Sequence, residues 1–171
     1  MSFMELAKNR YSVRKFTSEE VSQDLLDKII EAGMVAPTAC NIQPQRIYVI
    51  RSKEGLAKID ALTHCRYGAP VVFLFAYNED EEWQNPKQPG IVSGQQDVSI
   101  VATHMMLEAK DIGLDTLWID FFPNAETERA FNLPENEKAV LLMALGYASP
   151  DAKPSGNHTK KRPVSELIRY L

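Results

Sequence analysis

The segment Ala36-Pro37-Thr38-Ala39-Cys40-Asn41-Ile42-Gln43-Pro44 carries a proline near each end. A proline drives the residue before it out of the α region, so a helix arriving from the N-terminal side must stop at Ala36. Such a helix is written directly upstream. In Val21 to Val35, Leu25, Leu26, Ile29, Ile30 and Met34 recur at helical spacing, Ser22 is placed to cap the first turn, and Asp24 favours its positive end. Downstream, Arg46 to Ile50 is a short β-branched and aromatic run that reads as a strand. Residues 37–44 are therefore a constrained loop between a helix and a strand.

Further along, Glu54 to Leu62 reads as a short helix, and Val71 to Tyr77 is apolar on both faces, as a central strand is. From Asn78 to Gln96 the chain carries charges, prolines, glycines and Trp83 without a period, the pattern of a lid at a pocket mouth. Asp97 to Ile112 predicts a helix of roughly 24 Å, apolar over far more than one stripe. In a short chain that points to a subunit interface. Gly113 supplies its C-cap residue; Leu114 to Ile119 and Ala139 to Gly146 read as strands, with a short helix at Glu126 to Phe131 between them. Residues 149–161 are polar and have little to pack against in a lone protomer.

The chain has 171 residues, 44% hydrophobic and 25% charged, which fits one soluble domain with a real core. Its longest apolar runs fall short of a membrane span, and the N-terminus lacks the features of a secretory signal, so the expected compartment is the cytoplasm. Cys40 and Cys65 sit in no metal-binding pattern and read as free thiols. Nineteen basic against twenty-three acidic residues give a net charge of -4, which argues against general nucleic-acid binding. The distribution is uneven: Arg10, Arg14 and Lys15 cluster near the start and Lys160, Lys161 and Arg162 near the end. A small anion can draw those two ends together.

No glycine-rich nucleotide cradle, nucleophile elbow, zinc-protease or calcium-loop motif is present. His64, His104 and His158 are too scattered to argue a metal or a relay. The segment Arg10-x-Ser12-x-Arg14 is more informative, because residues two apart in an extended chain share a face at roughly 6.5 to 7 Å. Two guanidiniums with a hydroxyl between them suit an anionic, polyfunctional ligand; a solvated basic arm is the plainer alternative.

Taken in order, the Arg10-Ser12-Arg14 start, the helix, the loop from Ala36 to Pro44 and the strand resemble the nitroreductase family of FMN-dependent oxidoreductases. The resemblance extends through GLDTLWID at 113–120, LPENEKAVLLMALGY at 133–147 and KKRPVSEL at 160–167. It implies an α+β fold with a mixed central sheet flanked by helices, and an intertwined homodimer with FMN sites built from both chains. Arg10 and Ser12 would grip the phosphate with the C-terminal cations, Lys161 and Arg162 being favoured over Lys160. Arg14 would face the pyrimidine side of the flavin and stabilise its reduced form. Pro37, Thr38, Ala39 and Asn41 would come from the opposite chain, with backbone groups near Ile119 and Asp120 beside the ring. Asp115 and Asp120 stand where family members often carry glycine.

The implied activity is transfer of hydride from NADH or NADPH through flavin N5 to an electron-poor planar acceptor such as a nitroaromatic, quinone or enone, by a ping-pong course with no dedicated catalytic side chain. Alternatives are a flavin carrier or sensor without turnover and a flavoenzyme of the same fold with another chemistry. Trp83 has two readings, stacking on a planar substrate or packing against the partner. Phe121 and Phe122 either line the access channel or pack in the core, and Cys40 is a space-filling thiol more readily than a catalyst.

Overall fold

The computed structural model describes residues 2–171. Ten elements follow in order: α1 Phe3–Asn9, α2 Gln23–Met34, β1 Gln45–Ile50, α3 Lys53–Leu62, β2 Val71–Asn78, α4 Gly94–Asp111, β3 Asp115–Ile119, α5 Asn124–Ala130, β4 Glu137–Gly146 and α6 Val164–Leu167. Short 3₁₀ turns lie at Ala39–Asn41 and His64–Arg66.

The sheet has the order β1-β2-β4-β3, so the two most apolar strands are central. Alternation along them sends side chains into two cores. Phe73, Phe75, Leu141, Met143 and Leu145 pack beneath α2 and α4 with Leu26, Ile29, Val98, Val101 and Met105. Val72, Leu74, Leu142 and Ala144 face the other way, onto Ile59, Val13, Leu117 and Ile119. Burial on both faces explains why neither strand alternates with polar residues. One bulge, between Phe75 and Ala76, shifts the register of β2 on β4.

All three ladders are antiparallel. The parallel part of the mixed sheet is the isolated bridge between Ser12 and Thr116, which lays the N-terminal arm along β3, where the Val13 amide donates to the Thr116 carbonyl at 3.0 Å. Helix α1 lies outside the sequence reading, although Ser2 and Glu5 form a complete capping box. Helix α4 begins three residues earlier than the periodicity indicates. The Gly94 amide donates to Glu82 Oε2 at 2.9 Å, and a Cβ at Gly94 would stand 2.3 Å from Tyr77 Cδ2, so glycine there reflects close packing and not a loop. The long connection before α4 is partly ordered by a bridge between Gln84 and Val92.

Glu137, 8% exposed at the start of β4, accepts a hydrogen bond from the Tyr48 hydroxyl and lies 3.5 Å from Arg46 Nε. Arg46 also pairs with Glu81 at 2.6 Å, joining β1 to the turn after β2. Burial first, then the Glu137 hydrogen bond, pushes the Tyr48 hydroxyl up to about 12. Because this folded-state value exceeds that of the unfolded chain, the stabilisation is complete below the ordinary tyrosine range near 10 and is lost as pH rises from there to about 12. Chemical denaturation at stepped alkaline pH is expected to show stability falling across that interval. Tyr48→Phe should lower neutral-pH stability by about 1–2 kcal/mol and make the alkaline fall shallower; an unchanged slope would exclude Tyr48 as its source.

Candidate functional site

Arg10 closes α1, and from there the chain runs extended. Val13 is buried between Ser12 and the exposed Arg14, while Phe16 turns into the core where the alternation ends. Arg10, Ser12 and Arg14 line one cleft of about 240 Å³ together with Tyr11, Ser155, Asn157 and His158. The shared face expected from the two-residue spacing is thus real. Its other wall, residues 155–158, comes from the polar C-terminal region, whose lack of hydrophobic periodicity gave no sign of a binding role. His158 Nε2 lies 3.2 Å from the Lys8 carbonyl, which makes it the protonated ring nitrogen, and the ring meets Tyr11 edge to face at 6.2 Å.

The donor set is distinctive. Two guanidiniums, three hydroxyl-bearing side chains, an amide and an imidazole line this cleft with no carboxylate among them. Among the described residues neither Arg10 nor Arg14 is in an ion pair, although acids outnumber bases in the chain. Arg14 Nη1 donates to the Ser12 carbonyl at 3.3 Å. Such a set fits a phosphate, which offers only acceptors.

Arg14 also lines a second cleft of about 190 Å³, with Cys65, Tyr67, Leu117, Trp118, Ile119, Asp120 and Phe121. One guanidinium therefore borders both the polar cleft and a second one at the end of β3, where Leu117, Ile119 and aromatic rings meet the charges of Arg14 and Asp120. The Asp120 carboxylate accepts from Trp118 Nε1 at 2.9 Å. Asp115 is paired with Lys110 at 2.7 Å, and that ammonium lies 5.9 Å from the centre of the Tyr11 ring, so the acid is neutralised locally.

Phe121 is 71% exposed at the mouth, its carbonyl held by Thr63 Oγ1 at 2.6 Å and its ring edge-on to His64 at 5.5 Å. Phe122 takes the packing alternative: it lies against the core of Ile50, Ile59 and Leu74 and does not border the cleft. Trp83 sits on the connection before α4, where its carbonyl accepts from the Ser93 amide, and lines neither cleft. Lys161 and Arg162 are exposed and line neither cleft within the protomer; Arg162 instead lies 3.6 Å from Glu166.

The loop after α2 does not join these clefts within one protomer. Cys40, Asn41 and Gln43 have φ of 50°, 54° and 59°, unusual for residues with side chains. The loop is braced by the Gln43 amide on Thr38 Oγ1 at 3.1 Å and by the Ala39 amide on Asp97 Oδ1 at 2.8 Å. Asp97 is 2% exposed, and its second oxygen accepts from Ser93 Oγ at 2.7 Å. The sequence marked Asp97 only as a helix start. No grouping of three or more metal-ligating side chains occurs among the described residues, and no described helix is long and apolar enough to cross a membrane.

The α+β domain thus carries, beside its edge strand β3, a donor-rich cleft free of carboxylates and a second cleft that shares Arg14 with it. A model of the nitroreductase family matches residues 7–67 and 66–147, and this chain belongs to that family. A relative from Methanothermobacter thermautotrophicus, carried under the provisional name NADH dehydrogenase/NAD(P)H nitroreductase, is 32% identical over 156 residues, covering 86% of this chain and 78% of its own. An NADPH-dependent oxidoreductase of Staphylococcus epidermidis is 26% identical over 180 residues, covering 96% and 71% respectively. Among solved structures, a nitroreductase family protein of Clostridium difficile superposes with a TM-score of 0.92 at 36% identity, over 99% of this chain and 98% of that one. A structure from Exiguobacterium sibiricum, described as a provisional nitroreductase in complex with FMN, matches in fold at a TM-score of 0.85 and 21% identity, over 100% and 98%.

Proposed function

We propose that this chain is an FMN-dependent oxidoreductase that uses NADH or NADPH to reduce an electron-poor planar acceptor, a nitroaromatic, quinone or enone, as a cytoplasmic homodimer. The observation that carries the reading is the carboxylate-free cleft of Arg10, Ser12 and Arg14, which shares Arg14 with a second cleft walled by Leu117, Trp118, Ile119 and Phe121. Arg10, Ser12 and the Ser155 hydroxyl hold the phosphate there, while His158, tied to the Lys8 carbonyl, positions the wall. Lys161 and Arg162 close over it once the tail is ordered against a second protomer. Leu117, Trp118 and Ile119 exclude water from the ring, and Arg14 offsets negative charge at its pyrimidine edge. Bound FMN supplies the redox chemistry, accepting hydride from the nicotinamide and delivering it to the acceptor.

The second protomer contributes Pro37, Thr38, Ala39 and Asn41 to the ring and ribityl chain. This accounts for a braced, strained loop that touches neither cleft of its own chain. The outer stripe of α4, with Ile100, Thr103, His104 and Leu107 only partly covered, is apolar enough to form the pairing surface. Phe121 at the mouth offers a flat face to a planar acceptor, and Trp83, which lines neither cleft of its own protomer, packs toward the partner.

Purified protein loaded with FMN and mixed rapidly with NADPH or NADH without oxygen is expected to bleach at the flavin band within seconds, and a nitroaromatic or quinone to restore the colour. Donor and acceptor using one open face in turn predicts parallel double-reciprocal plots. Flavin that binds and does not bleach with either nucleotide would make the protein a carrier or sensor; failure to gain visible absorbance with FMN would end the flavin reading.

A further inference from the structure

We infer that Asp97 is a positioning residue for the cofactor: its buried carboxylate sets the Thr38–Asn41 loop in the shape that meets the flavin. The inference rests on the reading of that loop as a cofactor contact. Asp97 and Ala39 are 58 residues apart in sequence, yet the Ala39 amide donates to Oδ1 at 2.8 Å while Ser93 Oγ donates to Oδ2 at 2.7 Å, so each oxygen has its own donor. The side chain is 2% exposed, in the first turn of α4. A helix start alone explains an acid in that turn, because the macrodipole favours negative charge there. It does not explain why the acid reaches out of the helix to a single loop amide.

The loop explains it. Cys40, Asn41 and Gln43 all hold positive φ without being glycine, and a segment so strained relaxes unless its ends are tied. Thr38 ties one point, through its hydroxyl and the Gln43 amide. The other tie is Asp97, fixed to the helix that also forms the outer pairing stripe. Ala39 is therefore registered to α4, and through α4 to whatever packs on it. The loop geometry and the pairing geometry share one anchor.

The charge of Asp97 serves the helix, whereas its acceptor oxygen serves the loop, and substitutions separate the two. Asp97→Asn keeps an oxygen for the Ala39 amide and turns its NH₂ toward Ser93 Oγ, reversing that hydrogen bond; it loses the charge and the acceptor for the Ser93 hydroxyl but not the acceptor for the loop. Asp97→Ala loses the loop acceptor as well. FMN affinity is read by fluorescence titration, well below each variant's melting temperature, with amide exchange at Ala39 followed in parallel. Asp97→Asn is expected to melt lower yet bind FMN within about threefold of the parent, while Asp97→Ala binds about tenfold more weakly and exchanges the Ala39 amide quickly.

Parent-like affinity in Asp97→Ala, or equal loss in both variants, would overturn the assignment. If Asp97→Ala does not fold, Asp97→Ser takes its place, its shorter side chain keeping a polar group in the first turn of α4 while withdrawing the acceptor from the Ala39 amide. The same tenfold loss is then expected, and unchanged affinity refutes the anchor. A parent that binds no FMN overturns the functional reading instead, and slow exchange at Ala39 in the parent and the Asn variant, lost in the Ala variant, then decides the anchor alone.

Discussion

Arg10→Ala is expected to weaken FMN binding by about a hundredfold. The guanidinium is half-buried in a cleft without carboxylates, so its removal leaves a doubly negative phosphate with the more exposed Arg14 as the one arginine lining the cleft. A charge-assisted hydrogen bond contributes about 1.5–3 kcal/mol, and roughly 1.4 kcal/mol is a factor of ten. Arg10→Lys should recover part of the loss, since an ammonium restores charge without the planar fork. Titration at physiological salt is the fair test, because low salt lets Arg14 and the tail lysines compensate from a distance. Affinity equal to the parent would remove Arg10 from the site and leave the cleft without its main anion contact. The melting temperature should hardly change in the FMN-free protein, because Arg10 has no ion pair among the described residues.

Much of this was legible in the sequence because it depends on local rules. The central strands declared themselves by apolarity on both faces, the helix before Pro37 by its period and cap, and the basic side of the N-terminal arm by the alternation of Arg10, Ser12 and Arg14. What stayed hidden depends on distance. Residues 155–158 have no pattern that announces a wall, and only the fold carries them to the N-terminal arm. Asp97 looked like an ordinary first-turn acid because its partner amide lies 58 residues away. The first turn of α4 was missed because Gly94 reads as a breaker unless the Tyr77 ring beside it is known. The alternatives at Phe121 and Phe122 differ only in which side of the backbone meets the core, and two adjacent aromatics carry no period that decides it. The sequence placed Lys161 and Arg162 by resemblance; within one protomer they stand away from the cleft, and their part depends on a second chain.

Arg14→Ala is expected to lower the reduction potential of bound FMN while weakening its binding by less than tenfold. Arg14 is the one side chain common to the anion cleft and the second cleft, and it is more exposed than Arg10, so it contributes less to holding the phosphate. Its charge matters more to the balance between redox states. A fixed cation beside the ring favours whichever state carries more negative charge, and the reduced state does. Loss of about 1–3 kcal/mol of that preference corresponds to roughly 20–60 mV for a two-electron couple. Equilibration with redox dyes under nitrogen measures the shift directly. Asp120→Asn is the internal control: its carboxylate lines the second cleft, held by Trp118 Nε1, and removing that negative charge should raise the potential. Opposite shifts in the two variants would establish that charge at this edge sets the potential; a parent-like value in Arg14→Ala would mean that the guanidinium turns away from the ring and serves the phosphate alone.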